Sequence, residues 1–287
     1  MQCERIMVIG PHISISGGYK KAVEEALAIG ANTFQAFSRN PRGGSAAALN
    51  IDDIKAAEVL MELNSFGPLL IHAPYTLNMA SAKPESYKFA KECFEDDMKR
   101  MVTIPTDLYV FHPGSRTTIP YEQAIEQIAG ILRDGMIEGS TTKVLLETMS
   151  GKGSEIGKTF EELKDILDAV GEFHSKDNIG VCIDTCHLYC AGYDIVNDLD
   201  GVLEKFDNII GIDKIKAVHL NDTMNPFASY KDRHAKIGEG DIGLDAIARV
   251  VAHESLRDKP FFLETPHDEL VGYGNEIKLI AQRVKTL

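Results

Sequence analysis

The sequence predicts an α/β fold, specifically a single-domain TIM (β/α)8 barrel, and two observations support this prediction. Short apolar, β-branched runs recur eight times along the chain, and most are followed by a stretch with helical periodicity. The length of 287 residues also suits one such barrel, which typically needs about 250 residues. We therefore expect one barrel domain over residues 1–287.

The eight strand candidates are short and mostly apolar, as expected for parallel strands that are buried on both faces. No glycine-rich dinucleotide fingerprint follows the first candidate, which favours a closed barrel over an open doubly wound sheet. The predicted strands are Ile6 to His12, Thr33 to Phe37, Leu69 to His72, Leu108 to His112, Val144 to Glu147, Gly180 to Asp184, Ala217 to Leu220 and Phe261 to Glu264.

Helical stretches lie between these strands, and two of them begin at expected capping residues. Asp52 and Thr159 precede first turns that contain Asp53 and Glu161, where a carboxylate complements the helix dipole. The predicted helices are Tyr19 to Ala28, Ile54 to Leu63, Tyr87 to Met101, Glu122 to Leu132, Phe160 to Val170, Leu244 to His253 and Glu276 to Val284.

The composition is that of a globular protein, with 44% hydrophobic and 25% charged residues. No apolar run approaches the roughly 18 residues that a membrane span needs, and the N-terminus enters a strand candidate at once, so we expect no signal peptide and a cytoplasmic protein. Five cysteines, with Cys182, Cys186 and Cys190 at helical spacing, indicate reduced thiols rather than a disulfide framework or a cysteine-type zinc site.

The net charge of −13 counts against a generic nucleic-acid binder, because phosphate contacts normally need a basic face. Bound divalent cations would offset part of that charge and would place positive charge where a phosphate lies. The charge therefore weakens a nucleic-acid function without excluding it.

Ionisable side chains stand at or just after the C-terminal end of almost every strand candidate, which is the active face of a barrel. Burying so many carboxylates and imidazoles at one mouth is costly unless metal ions compensate. His12 stands apart after the first strand. The other candidates are His72, His112, Glu147, Asp184, His187, His219, Asp232, His234 and Glu264.

Imidazole and carboxylate ligands without thiolate favour Zn²⁺, with Mn²⁺ or Fe²⁺ as alternatives. Nine ligands are too many for one ion and suit three, with one carboxylate shared between two ions. Asp184 and His187 lie across a strand end and the following turn, so they can serve different ions. Asp232 and His234 alternate on one side of an extended loop.

The chain resembles the endonuclease IV family of apurinic/apyrimidinic endonucleases over its whole length, from GPHISISGG through DTCH, HLND and DRHAKIGEG to LETP. The resemblance implies a trinuclear zinc cluster held by the nine residues, with Glu147 bridging two ions and Glu147 and Glu264 as the catalytic carboxylates. It also implies hydrolysis of damaged double-stranded DNA 5′ to an abasic nucleotide, leaving a 3′-hydroxyl and a 5′-deoxyribose phosphate. A monomer without an obligate protein partner is expected.

The same resemblance predicts DNA contacts from loops after the second and third strands. The matching residues are Arg42, Tyr75 and Leu77, and Arg233, between two ligands, is expected to reach phosphate. His12 is expected to support the metal ligands through hydrogen bonds rather than to bind metal itself.

The loop after Arg42 departs from the family, whose members often carry an aromatic residue there. This chain has Gly43, Gly44 and Ser45 followed by three alanines, and it contains no Trp. We expect a flexible loop that weakens DNA binding more than it alters the chemistry.

Two other functions remain open from the sequence. A single-metal sugar isomerase or epimerase on the same barrel would need only Glu147, Asp184, His219 and Glu264. A non-catalytic zinc-containing module would bind damaged DNA through the same face. The remaining histidines, His174, His253 and His267, are expected to face solvent or cap helices.

Overall fold

The computed structural model describes residues 7–171 and 178–287, which fold as a nearly closed barrel of eight parallel strands with helices outside it. This confirms the predicted single-domain TIM barrel. The barrel strands are β1 (Ile9–Pro11), β2 (Gln35–Phe37), β3 (Leu70–His72), β4 (Leu108–Phe111), β5 (Lys143–Glu147), β6 (Ile179–Asp184), β7 (Ile215–His219) and β10 (Phe261–Leu263).

The helices pack around the strands and bury one apolar face each. All seven predicted helices are present. The α-helices of the described residues are α1 (Tyr19–Ala28), α2 (Ile51–Leu63), α3 (Pro84–Met101), α4 (Tyr121–Gly135), α5 (Phe160–Val170), α6 (Thr185–Ala191), α7 (Leu199–Ile209), α8 (Gly243–Ala252) and α9 (Leu270–Val284).

The starts of the helices confirm one of the sequence predictions, correct another and add two helices. Asn50, not Asp52, caps α2, because its side chain accepts from the Asp53 amide at 3.3 Å. Thr159 caps α5 as predicted, by accepting from the Glu162 amide. Helices α6 and α7 were not predicted, and Asp184 caps α6 directly from the end of β6.

The barrel closes at a weak seam between β1 and β2. The hydrogen-bonded strand order runs β1-β10-β7-β6-β5-β4-β3-β2, so these two strands stand at its ends. They are joined by a parallel bridge between His12 and Gln35, with the Ile13 amide donating to the Gln35 carbonyl at 2.8 Å. A Cβ on Gly10 would lie 1.7 Å from the Thr33 carbonyl oxygen, so the close approach of the two chains requires glycine there.

Two apolar layers hold the fold together. A large cluster fills the space between strands and helices, and a small one fills the barrel interior. Since the interior is packed with apolar side chains, the polar groups gather at the mouth instead. The interior residues are Leu70, Leu108, Val110, Leu145, Cys182, Ala217 and Phe262.

A short antiparallel ladder follows β7. Strand β8 (Asp222–Thr223) pairs with β9 (His234–Ala235). The ladder folds the intervening loop back toward the barrel mouth. In the part of the chain that the structure describes, no helix is long and apolar enough to cross a bilayer.

The cysteines at 93, 182, 186 and 190 are buried free thiols, as expected. Cys3 and His174 lie outside the described residues.

Candidate metal centre

The strand ends bring the predicted ligands together at one mouth of the barrel, because all eight strands run parallel. Four strands end on a candidate carboxylate or imidazole, for example β5 on Glu147. His187 lies in the first turn of α6, and the β8–β9 ladder returns Asp232 and His234 to the same mouth. Most of these side chains are buried, and Glu147, Asp184 and His219 are 0% exposed.

The nine residues fall into three groups whose ligand atoms lie within 4.8 Å of one another. Glu147 belongs to two of the groups. The Cys186 thiol also lies within this distance of atoms of Asp184 and His234. The groups are His72, His112 and Glu147; Glu147, Asp184, His219 and Glu264; and His187, Asp232 and His234.

Carboxylate oxygens stand at the centre of each group. The Glu147 Oε2 atom lies 3.3 Å from His72 Nε2 and 3.1 Å from His112 Nε2. The other oxygen, Oε1, lies 3.0 Å from His219 Nδ1. Asp232 Oδ1 lies 3.3 Å from the Nε2 atom of His187. One carboxylate thus faces two groups at once, which is the geometry of a bridging ligand.

Three histidines are oriented by backbone carbonyls. The Nδ1 atoms of His72, His187 and His234 lie 2.6, 2.8 and 3.2 Å from a carbonyl oxygen. A carbonyl can only accept, so Nδ1 carries a proton, and Nε2 is the ring atom that faces the cluster and can bind a metal ion once it is deprotonated. The acceptors are the carbonyls of Ala73, Thr148 and Glu264.

The buried Nε2 atoms of these three histidines and the Oε2 atom of Glu147 have no hydrogen-bond partner among the described residues. Buried polar atoms are rarely left without a partner, because desolvation without a bond is costly. A divalent cation bonded to these atoms removes that cost. The donor set therefore fits metal ions.

Gln35, at the start of β2, links three residues of the mouth. Its carbonyl oxygen accepts from His219 Nε2 at 2.6 Å, which leaves His219 Nδ1 free to face the carboxylates. Its amide nitrogen donates to Glu264 Oε1 at 2.6 Å and to His12 Nδ1 at 3.0 Å. His12 thus contacts Gln35, which in turn bonds two of the candidate ligands.

Asn221, two residues after the end of β7, contacts the carboxylate of Asp184 and the backbone of Glu264. Its side-chain amide donates to Asp184 Oδ2 at 2.7 Å, and its carbonyl accepts from the Glu264 backbone amide at 2.8 Å. The sequence predictions included neither Gln35 nor Asn221. A polar residue inside the apolar run TFQAF was the signal for Gln35, since such a strand buries both faces.

The cluster is strongly polarised. Burial alone would raise the pKa of Glu147, but His219 and His112 outweigh it and hold that pKa well below its usual range. Burial likewise opposes ionisation of Glu264, yet His219 lowers its pKa to about 2. For His187, burial lowers the pKa, but the carboxylates of Asp184 and Asp232 raise it well above normal. The ionised carboxylates favour positive charge beside them, either on a protonated histidine or on a bound metal ion.

Comparisons with known proteins agree with this geometry. The family profile described as "Xylose isomerase-like TIM barrel" matches residues 23–287. A protein from Alkaliphilus oremlandii named "Probable endonuclease 4" is 54% identical over 274 residues, covering 96% of both chains. The chain belongs to the endonuclease IV family.

Solved structures give the same result. The crystal structure of endonuclease IV from Thermus thermophilus superposes with a TM-score of 0.85 at 31% identity, covering 97% of this chain and 99% of that one. A D-tagatose 3-epimerase-like protein, at 23% identity and a TM-score of 0.66, covers 96% of this chain and 98% of its own. The likeness to the epimerase concerns the fold alone.

The residues predicted to contact DNA in this endonuclease IV family member differ in their exposure to solvent. Tyr75 is 59% exposed at the mouth, and its ring centroid lies 4.9 Å from that of Phe37. Arg42 and Arg233 are also exposed. Leu77 is placed differently from the prediction, because its side chain is only 3% exposed and packs in the core. It is not available to DNA in this conformation.

The other described histidines lie away from the three groups. His253 Nε2 lies 3.1 Å from Asp200 Oδ1, and His267 Nε2 lies 3.0 Å from Glu276 Oε1. Both are paired with carboxylates rather than turned to the mouth. Both histidines are partly buried, and His253 is the C-terminal cap residue of α8, which is one of the two roles expected for these histidines.

Proposed function

We propose that this chain is a DNA-repair endonuclease that hydrolyses the phosphodiester bond 5′ to abasic sites in double-stranded DNA. The products are a 3′-hydroxyl and a 5′-deoxyribose phosphate. The observation that carries the proposal is the set of three ligand groups, two of which share Glu147. The names of the similar proteins, from Alkaliphilus oremlandii and Thermus thermophilus, support it.

Three Zn²⁺ ions suit the donor set, which consists of imidazole nitrogens and carboxylate oxygens, with Mn²⁺ or Fe²⁺ as possible substitutes. Glu147 would be shared by two ions, and the other eight residues would complete the three groups. When bound, such ions activate water and stabilise the attacking and leaving oxygens of phosphodiester hydrolysis.

The chain's own residues would position the reacting groups. Glu147 and Glu264 are held in their ionised state by the neighbouring His219, so they are ready to bind cations at neutral pH. Tyr75 and Arg42 would contact the duplex beside the mouth, and Arg233 would bind a phosphate. We further propose a cytoplasmic monomer that needs no obligate protein partner.

A single-metal sugar isomerase is the second candidate, because Glu147, Asp184, His219 and Glu264 form one complete group by themselves. That function needs only this quartet. It gives no role to the orphaned Nε2 atoms of His72, His187 and His234. A module that keeps zinc but has lost catalysis would retain the ligands and differ only in activity.

Cleavage of a labelled duplex with one abasic-site analogue tests the proposal. The assay is run with purified protein before and after chelation and after zinc is restored, beside an undamaged duplex. We expect one cut 5′ to the lesion that is lost on chelation and regained with zinc. No cut with three bound ions would favour the binding module, and no cut with one bound ion would favour the isomerase.

A further inference from the structure

The loop between β2 and α2, residues 38–50, carries Arg42 and is called the Arg42 loop below. Its glycines and alanines predict a flexible segment, yet it is closed by its own hydrogen bonds. The Asn40 amide donates to the Ser45 carbonyl at 2.9 Å, and the Gly44 amide donates back to the Asn40 carbonyl at 2.9 Å. Gly44 has a φ of 69°, and a Cβ there would lie 2.3 Å from the Phe89 ring of α3.

A buried arginine joins this loop to α3. The Arg39 side chain is 7% exposed, and its Nε atom donates to Asp97 Oδ1 at 3.0 Å. A second guanidinium nitrogen donates to Asp96 Oδ2 at 2.7 Å, and the third donates to the Gly44 carbonyl at 3.1 Å. Arg39 precedes the turn formed by residues 40–44. Its guanidinium bonds to Gly44 at the far end of that turn and to α3 beneath it.

Asp97 is the centre of this network and is 0% exposed. Its Oδ2 atom accepts from the Ser38 hydroxyl and from the Tyr109 hydroxyl, both at 2.8 Å. Asp97 thus connects α3, β4 and the first residue of the Arg42 loop. Arg100, one turn further along α3, adds a bond to the Ala47 carbonyl at 3.0 Å.

A buried ion pair contributes little net stability compared with an apolar pair, but it can fix one conformation. Fixing a binding loop before association lowers the entropy that is lost when the partner binds. We propose that the Arg39–Asp97 ion pair positions the Arg42 loop for the abasic duplex. This inference rests on the proposed function, and it makes Arg39 and Asp97 positioning residues rather than catalytic ones.

Two substitutions separate a positioning role from a structural one. Arg39→Met alone leaves the Asp97 carboxylate buried without a cation, so that variant is expected to be unstable. Arg39→Met combined with Asp97→Asn removes both charges but keeps an acceptor for Ser38 and Tyr109. The double variant is expected to fold and to release the loop.

The measurement on the double variant is steady-state cleavage of the abasic duplex. We expect KM to rise about tenfold while kcat stays within about twofold, because the lost interaction positions the duplex rather than the reacting bond. Arg39→Lys, which keeps the charge but loses the planar fork, is expected to restore part of the wild-type KM. Lys91→Met is the matched control, since it removes an exposed ion pair with Asp134 from the same helix.

Amide hydrogen exchange of residues 40–48, measured without DNA, gives an independent result. Faster exchange in the double variant supports the inference, and wild-type exchange or a wild-type KM in a folded double variant overturns it. If the wild-type protein neither cuts nor binds the abasic duplex, the proposed function fails, and the DNA role of the ion pair fails with it. Unchanged amide exchange in the double variant contradicts only the role of the ion pair and leaves the proposed function intact.

Discussion

Among single residues, those that hydrogen-bond to the candidate metal ligands decide which ligand atoms face the cluster. The nine candidate ligands were predictable, because ionisable residues at the ends of apolar strands stand out in the sequence. Gln35 and Asn221 were not predicted. In a sequence, an amide side chain that orients a metal ligand cannot be distinguished from an ordinary polar residue near the end of a strand. Only the three-dimensional contacts show that Gln35 bonds both His219 and Glu264.

Gln35→Leu is expected to weaken metal binding by about 10–100-fold, the range typical for loss of a residue that orients a ligand. The substitution leaves the His219 Nε2 atom without its acceptor and the Glu264 Oε1 atom without the donor Gln35. Competition with a chromogenic chelator measures the affinity. Gln123→Leu, on the exposed face of α4, is the control and should change nothing. Equal affinities for the two variants would contradict the role assigned to Gln35.

Metal affinity is expected to fall as the pH falls. Burial lowers the pKa of His187, but Asp184 and Asp232 raise it well above the normal value, so the metal-free cluster holds a proton there. Metal must displace that proton. A raised pKa extends the competition above the ordinary histidine value of about 6.5. Chelator titrations from about pH 8 to about pH 6 check this, and a flat profile would refute it.

Among the helices and strands, the long amphipathic helices were predicted well and the short or interrupted ones were not. The sequence of α6 begins directly at the end of β6, so strand and helix share Asp184. The pattern of α7 contains Gly201 in its first turn, which obscures the helix. The cap of α2 was placed two residues late, because Asn50 and Asp52 are both good caps.

Helix α9 supports the barrel mouth, where the candidate metal ligands lie, through Glu276, which is 5% exposed. Its carboxylate accepts from the Thr265 hydroxyl at 2.5 Å and from the Ile237 amide at 2.8 Å. Thr265 follows Glu264, and Ile237 lies three residues after His234. One helix therefore fixes two ligand-bearing loops.

Glu276→Ala is expected to cost about 1–3 kcal/mol of unfolding free energy, because it leaves a buried amide and hydroxyl without an acceptor. It should also weaken metal binding, so zinc should restore less stability than in the wild type. Urea unfolding of metal-free and zinc-loaded protein measures both effects. Glu269→Ala, an exposed residue before the same helix, should stay within about 0.5 kcal/mol. Equal stabilities for the two variants would contradict this role of α9.

For the molecule as a whole, eight strands and one domain followed from the repeated pattern of apolar runs. How the barrel closes did not, because the seam consists of an isolated bridge between His12 and Gln35 and of hydrogen bonds between Asn32 and Ile9. Because backbone pairing of this kind does not require particular side chains, it leaves no pattern in the sequence. Gly10 lies at the seam, but a lone glycine in a strand has several explanations.

Gly10→Ala is expected to destabilise the barrel by about 1–3 kcal/mol or more, since the new methyl group would meet the Thr33 carbonyl. Gly130→Ala is the opposite control. Its added methyl meets only the end of the Arg133 side chain at 4.0 Å, so it should raise stability by about 0.5–1 kcal/mol. Thermal unfolding measures both. A Gly10→Ala barrel as stable as the wild type would contradict the close seam.

Zinc reconstitution of the metal-free protein, followed by cleavage of an abasic duplex at each step, tests the trinuclear nuclease most directly. Nine ligands in three groups predict that the cut 5′ to the lesion reaches its full rate only as bound zinc approaches three ions per chain. Full activity with one bound ion, or no cut with three, would contradict a trinuclear endonuclease.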